Sequence, residues 1–132
     1  MLAEISLKSA KRNELIDITN KVQSEISKAK MKDGVCLVFV PHTTAAVTIN
    51  ENYDADVKSD ILKKLAELVP ENNGYAHAEG NSDAHIKSSL MGSSVFIPIQ
   101  NGKLILGTWQ GIIFCEFDGP RDRKFMVKLS EF

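Results

Sequence analysis

Polar and apolar residues alternate from the start of the chain. Ala3, Ile5 and Leu7 fall on one side and Glu4 and Ser6 on the other. A period of two is that of a half-buried strand. The period then lengthens: Leu15, Ile18, Val22 and Ile26 recur at helical spacing. This predicts an amphipathic helix with Asn13 as its cap and Gly34 just beyond a lysine-rich end. Val35 to Val40 is an unbroken apolar run rich in β-branched residues, as in a strand covered on both faces. Pro41 stops it, and strand character resumes from Ala45 to Ile49.

A second helix is predicted from Asp54 to Val69, where Val57, Ile61, Leu65 and Leu68 form one stripe before Pro70. Glu71 to Asn81 has no core pattern, and long loops of that kind are often functional. Ser82 or Asp83 is placed to cap a short helix ending near Gly92. The remainder is β-rich. Ser94 to Gln100 and Lys103 to Leu106 flank Asn101-Gly102, a strong hairpin signal. Pro98 inside the first of these marks an edge or a bulge. Gly111 to Asp118 and Lys124 to Leu129 supply two more strands. The expected fold is α+β: a mixed, mostly antiparallel β-sheet or sandwich with two main helices, in a single domain spanning residues 1–132.

Composition narrows the classes. With 43% hydrophobic residues the chain has enough apolar material to fold, which argues against disorder. No apolar run approaches the roughly 20 residues of a membrane-spanning helix. Sixteen Lys+Arg against 17 Asp+Glu give a net charge of -1, so no basic nucleic-acid footprint is visible in the total. The segment Met1 to Ile5 lacks a basic stretch leading into an apolar one, so no secretory leader is expected. Cys36 and Cys115 each sit in an apolar run without a CxxC partner, and read as reduced core thiols of a cytoplasmic protein.

The chemistry-bearing residues are few. The three histidines, His42, His77 and His85, lie outside the apolar stripes. Three imidazoles are a donor set that zinc accepts, although the spacing here matches no general metal motif and also suits ordinary loop histidines. Glu116 lies between apolar faces in Ile112-Ile113-Phe114-Cys115-Glu116-Phe117. A carboxylate so enclosed is paired, metal-bound or protonated. Arg121 or Arg123 is its structural partner, and a functional role is the alternative. The turn Asp118-Gly119-Pro120-Arg121 could aim an arginine fork at phosphate. Thr108, Trp109 and Gln110 offer a hydroxyl, an indole N–H and an amide together, and a buried Trp would explain Trp109 without function.

Four motifs in order are more specific than any one residue. They are Pro41-His42-Thr43-Thr44-Ala45; Asn81-x-x-Ala84-His85-x-Lys87-x-Ser89-Leu90-x-Gly92; Gly102-x-Leu104-x-Leu106-Gly107-Thr108-Trp109-Gln110; and Glu116-Phe117-Asp118-Gly119-Pro120-Arg121. The series resembles the YjbQ family, described as secondary thiamine-phosphate synthases, over essentially the whole chain. The resemblance implies a compact α+β domain that forms a homotrimer in the cytoplasm. It implies a divalent metal, zinc first and magnesium as an alternative for pyrophosphate, held by His42, His77 and His85. It gives catalytic roles to Glu116, His42 and Lys87, and substrate contacts to Arg121, Asn81, Thr108, Trp109 and Gln110.

The implied reaction joins two phosphorylated heterocycles. Pyrophosphate leaves the methylene carbon of a hydroxymethylpyrimidine pyrophosphate, and the nitrogen of a thiazole phosphate attacks that carbon. Neutralising the leaving group is work for Lys87, Arg121 and the metal. A metal-dependent hydrolase or lyase on an unknown small substrate is the second expectation. A metal- or ligand-binding trimer without turnover is the third. The expected partners are a small phosphorylated substrate and further copies of the chain, with neither nucleic acid nor membrane.

Overall fold

The computed structural model describes residues 2–131. Met1 and Phe132, the ends of the expected domain, lie outside the described residues, as does the first residue of the segment read for a leader. Among the described residues eight strands and three helices follow in the order β1 (Leu2–Lys8), β2 (Glu14–Asp17), α1 (Thr19–Ala29), β3 (Gly34–Phe39), β4 (Ala45–Glu51), α2 (Ala55–Leu68), α3 (Ser82–Met91), β5 (Ser94–Gln100), β6 (Lys103–Leu104), β7 (Gln110–Glu116) and β8 (Asp122–Ser130). The fold is α+β, as expected.

Two antiparallel sheets form, ordered β1-β8-β3-β5-β6 and β2-β7-β4. Their facing sides share one core. Cys36, Val38, Ile97, Phe125 and Val127 of the larger sheet meet Ala45, Val47, Ile112 and Phe114 of the smaller, and Ile18, Val22 and Ile26 close one end. The far side of the smaller sheet carries a second core of Ala46, Ile113 and Cys115 with Phe117 and Ala84, packed by Leu62 and Leu65 of α2. β7 is therefore buried on both faces, which explains its continuous apolar run. The outer face of the larger sheet has no such cover, and Leu2, Phe39 and Phe96 are exposed there.

Several local expectations change. Leu15 belongs to β2, paired with Cys115, and not to a helix. The helix begins only at Thr19, whose N–H and Oγ both donate to Asp17 Oδ1, so Asn13 is not its cap. It ends at Lys30 in a left-handed conformation, well before Gly34. Gly34 answers a different need, because a Cβ there would collide with the carbonyl of Ser130. The Asp54 side chain caps α2 by accepting from Asp56 N, so the helix starts at Ala55, one residue after the expected start. Asn101 and Gly102 both take positive φ in the β5–β6 turn. β6 covers β5 only at Ile99 and Gln100, so Pro98 sits where the strand is nearly an edge. Both cysteines are free and buried, in different cores, and burial pushes each thiol up to about 12. Among the described residues no helix is long and apolar enough to cross a membrane.

Candidate functional site

Four segments meet at one end of the smaller sheet: the β3–β4 connection, the loop before α3, the first turns of α3, and the β7–β8 turn. Pro41 ends β3 and leaves His42, Thr43 and Thr44 in the connection. The β4–β7 ladder puts Ala45 opposite Glu116, so this connection lies beside the β7–β8 turn. Between them is a cleft of about 500 Å³ lined by His42, His77, Asn81, His85, Asp118 and Arg121, among others.

Beneath the cleft the charges are buried and matched. Glu116 has no exposed surface. Its Oε1 accepts from Ser9 Oγ at 2.6 Å and Arg123 Nε at 2.9 Å. Its Oε2 accepts from Arg123 Nη2 at 2.6 Å and Asp118 N at 3.0 Å. Burial pushes the Glu116 carboxyl up, but the bonds from Arg123, Ser9 and Asp118 N outweigh it and hold the group below its ordinary value. Arg123 Nη2 also donates to Thr44 Oγ1 at 2.7 Å. With both oxygens bonded twice, Glu116 has no lone pair placed to take a proton from a substrate. Of the two arginines considered as its partner, it is Arg123 that pairs with Glu116.

Lys87 is enclosed in the same way. Its Nζ lies 3.0 Å from Asp83 Oδ2 and 3.4 Å from Asn13 Oδ1, and it is not among the residues lining the cleft. Asp83, fully buried, also accepts from Arg12 Nη2 at 3.0 Å. Arg12 ties four places together. Besides Asp83 it reaches Gly80 O at 3.3 Å and Asp118 Oδ1 at 3.5 Å. Its Nε stands 2.7 Å from Glu71 Oε1 as a charge contact without hydrogen-bond alignment. The loop carrying His77 is thus pinned at both ends by one guanidinium.

The lining groups follow from this base. Asp118 Oδ2 accepts from Asn81 Nδ2 at 2.8 Å and Arg121 Nη2 at 2.9 Å, and Asp118 O accepts from Arg121 Nε at 2.8 Å. These bonds orient the Arg121 fork and leave its Nη1 side for an anion. The Asn81 Oδ1 is enclosed and has no partner. His42 Nε2 lies 3.1 Å from both the N and the O of Lys124. Burial and the Arg123 charge lower the His42 pKa and so favour its neutral ring. The rings of His77 and His85 meet edge to face at 5.5 Å.

The three histidines do line one cleft, and imidazole donors suit zinc. As they stand, no three His, Cys, Asp or Glu side chains among the described residues are close enough to hold one ion. The rings of His77 and His85 pair with one another, and His42 lines the same cleft without completing a three-ligand group with them.

Thr108, Trp109 and Gln110 are elsewhere. The same ladder sets Gln110 against Glu51 at its far end, roughly 20 Å from Glu116 by strand rise. Trp109 is 63% exposed and meets the ring of Tyr53 at 5.8 Å, so it is not the buried Trp of the structural alternative. Gln110 Oε1 accepts from Gly107 N. One chain does not bring this motif to Arg121. Sequence reasoning missed Ser9 and Arg12, and named Asp83 only as a helix cap and Asp118 only as part of a turn. Arg12 stands between Lys11 and Asn13 like any surface residue, and Asp83 looks like an ordinary helix cap.

Residues 3–131 match the model of the family described as UPF0047 protein YjbQ-like. The UPF0047 protein of Methanocaldococcus jannaschii is 57% identical over 129 residues, covering 98% of this chain and 94% of that protein. The UPF0047 protein YugU of Bacillus subtilis is 49% identical over 130 residues, covering 98% of each. Among solved structures, an uncharacterised YjbQ/UPF0047 family protein of Clostridium acetobutylicum superposes with a TM-score of 0.96 at 57% identity, over 97% of this chain and 99% of that one. A protein of Sulfolobus solfataricus described as of unknown function gives 0.95 at 35% identity, over 100% and 97%. None of these descriptions names a reaction or a metal. By sequence over nearly its whole length and by fold, this chain belongs to the YjbQ/UPF0047 family of uncharacterised proteins.

Proposed function

We propose that the histidine-lined cleft binds a small phosphorylated molecule and that the chain is an enzyme acting on it. Transfer of the thiamine-phosphate synthase type is the first reaction to test. The observation that carries the reading is the Arg121 fork, oriented by Asp118 at a cleft whose other polar walls are His42, His77, His85 and Asn81. A guanidinium held in place binds and neutralises a phosphate without reorganising. His42, His77 and His85 bring imidazole rings to the same cleft, and imidazole is the side chain most often used to move a proton. Purified protein supplied with the pyrimidine pyrophosphate and the thiazole phosphate should form thiamine phosphate and release pyrophosphate. Arg121→Ala and His42→Ala should each lose most of that rate. Full activity in both variants would overturn the reading.

Zinc remains a proposal on the same residues. Its binding requires His42 to join the His77–His85 pair, and calorimetric titration of wild type against His85→Ala measures this directly. Zinc bound equally by both would remove His85 from the set. A hydrolytic reaction at the cleft is the second reading. His77 Nε2 beside Glu79 Oε2 at 3.7 Å supplies the carboxylate that Glu116 cannot.

We further propose that copies associate into the expected trimer. The exposed apolar face of the larger sheet is a surface a second copy would cover, and Thr108, Trp109 and Gln110 can reach an Arg121-bound substrate only from another copy. Light scattering reads the mass. Mixed assemblies of Arg121→Ala and Trp109→Ala chains should recover activity that each lacks alone.

A further inference from the structure

The cleft has a second lobe on the other side of His42 and His85. It encloses about 380 Å³, and its remaining walls are Thr43, Ala45, Ser88, Ser89, Gly92 and Ser93. The two histidines line both lobes. The lobes differ in kind. The first carries Arg121, Arg123, Asp118 and Glu79, whereas no Lys, Arg, Asp or Glu lines the second.

Two details show that the second lobe is built for polar, uncharged contact. Ser88 is 8% exposed, and its Oγ is enclosed without any hydrogen-bond partner. An enclosed hydroxyl without a partner is costly, and rotation about χ1 lets it find a new one cheaply. Gly92 ends α3 at φ +97, and nothing stands within 4 Å of where its Cβ would be. The positive φ calls for glycine, and the missing side chain leaves the lobe open.

We infer that the substrate is bipartite: a phosphate in the arginine lobe, an uncharged hydroxyl- or amide-bearing body in the serine lobe, and the reacting bond between them at His42 and His85. This rests on the phosphate-binding reading above and adds what the rest of the substrate is. A second anionic group on the same molecule has no cation in the serine lobe to meet it.

The test titrates inorganic phosphate and ribose 5-phosphate, a phosphate monoester with an uncharged polyhydroxyl body, by NMR of the histidine ring signals. Wild type should bind the ester at least about five-fold more tightly than phosphate, the effect of one or two added hydrogen bonds. Ser89→Leu, which fills the lobe from the exposed side of α3, should abolish that advantage and leave the phosphate constant unchanged. Ser93→Leu fills it from the α3–β5 connection and should do the same, so the test survives if one variant does not fold. An ester advantage that persists in the folded variants overturns the inference, as does its absence from wild type. Failure of wild type to bind phosphate at all is a separate outcome. It overturns the arginine lobe first, and the bipartite substrate with it.

Discussion

The β4–β7 ladder has two ends, and both carry residues of the family's motifs. At one end Glu116, Arg123, Asp83 and Lys87 are buried and paired. At the other, Trp109 and Tyr53 stand 63% and 70% exposed with little but each other. The difference separates two kinds of motif residue. The first kind builds the floor on which Arg121 and the histidines are held. The second kind is held to its own chain through the backbone and Gln110, while its Trp109 ring stays largely exposed and, in the trimer proposed above, would meet another copy.

Substitutions at the two ends should separate these roles sharply. Arg123→Ala leaves Glu116 charged, enclosed and short of its main partner, and should cost about 3–5 kcal/mol in urea denaturation. A cost under about 1 kcal/mol would mean that water reaches the pair. The same pair sets an acid limit. Because the Glu116 carboxyl is held below its ordinary 4.5, its contribution is fully present above that value and is lost as pH falls through the lower, folded value. Glu116→Gln should flatten the stability profile in that acid window alone.

Lys87→Met is milder, since Asp83 keeps Arg12. A loss of about 1–3 kcal/mol is expected, with phosphate binding at the cleft retained. If phosphate binding vanished while the variant stayed folded, Lys87 would have a direct role that its position does not suggest. Arg12→Ala should cost less in stability, because the side chain is one-third exposed, but it frees the His77 loop. Amide exchange in residues 71–80 should quicken while β7 stays protected. The smallest effect belongs to the far end. Trp109→Ala should change monomer stability by no more than about 0.5 kcal/mol. A large loss there would mean that the exposed end also supports the fold.

Most of the fold was legible because its periods are clean. β1, β3 and β7 follow from alternation or from unbroken apolar runs, and the Asn101-Gly102 turn from its φ requirements. β2 was not legible. Leu15 and Ile18 keep helical spacing with Val22 by coincidence, and only the Asp17 cap shows that the chain turns there. The stripe of α2 is also weaker than its pattern suggests, since none of its residues is fully buried and Leu68 is 64% exposed. At the site, the histidines could be found because they are few and lie outside the apolar stripes, and Arg121 because it follows a Gly-Pro turn. Glu116 was found too, but its neighbours could not say whether it faced a ligand or a partner. Arg12 was invisible, and Asp83 was visible only as a helix cap, because their mutual contact spans 71 positions that no local window contains.

That long-range pairing has a consequence for how the domain comes into being. Ser9 meets Glu116 across 107 positions, and Arg12 meets Asp118 across 106. Contacts of such separation close late, because the intervening chain must be ordered first. During synthesis Ser9 waits unpartnered until the β7–β8 turn has emerged, and Arg12, whose other partners Glu71, Gly80 and Asp83 come earlier, gains Asp118 only then. A chain short of that turn lacks Glu116's bond from Asp118 N, its partner Arg123 and the Arg121 of the cleft. For this small domain, completing the fold and acquiring the site are the same event.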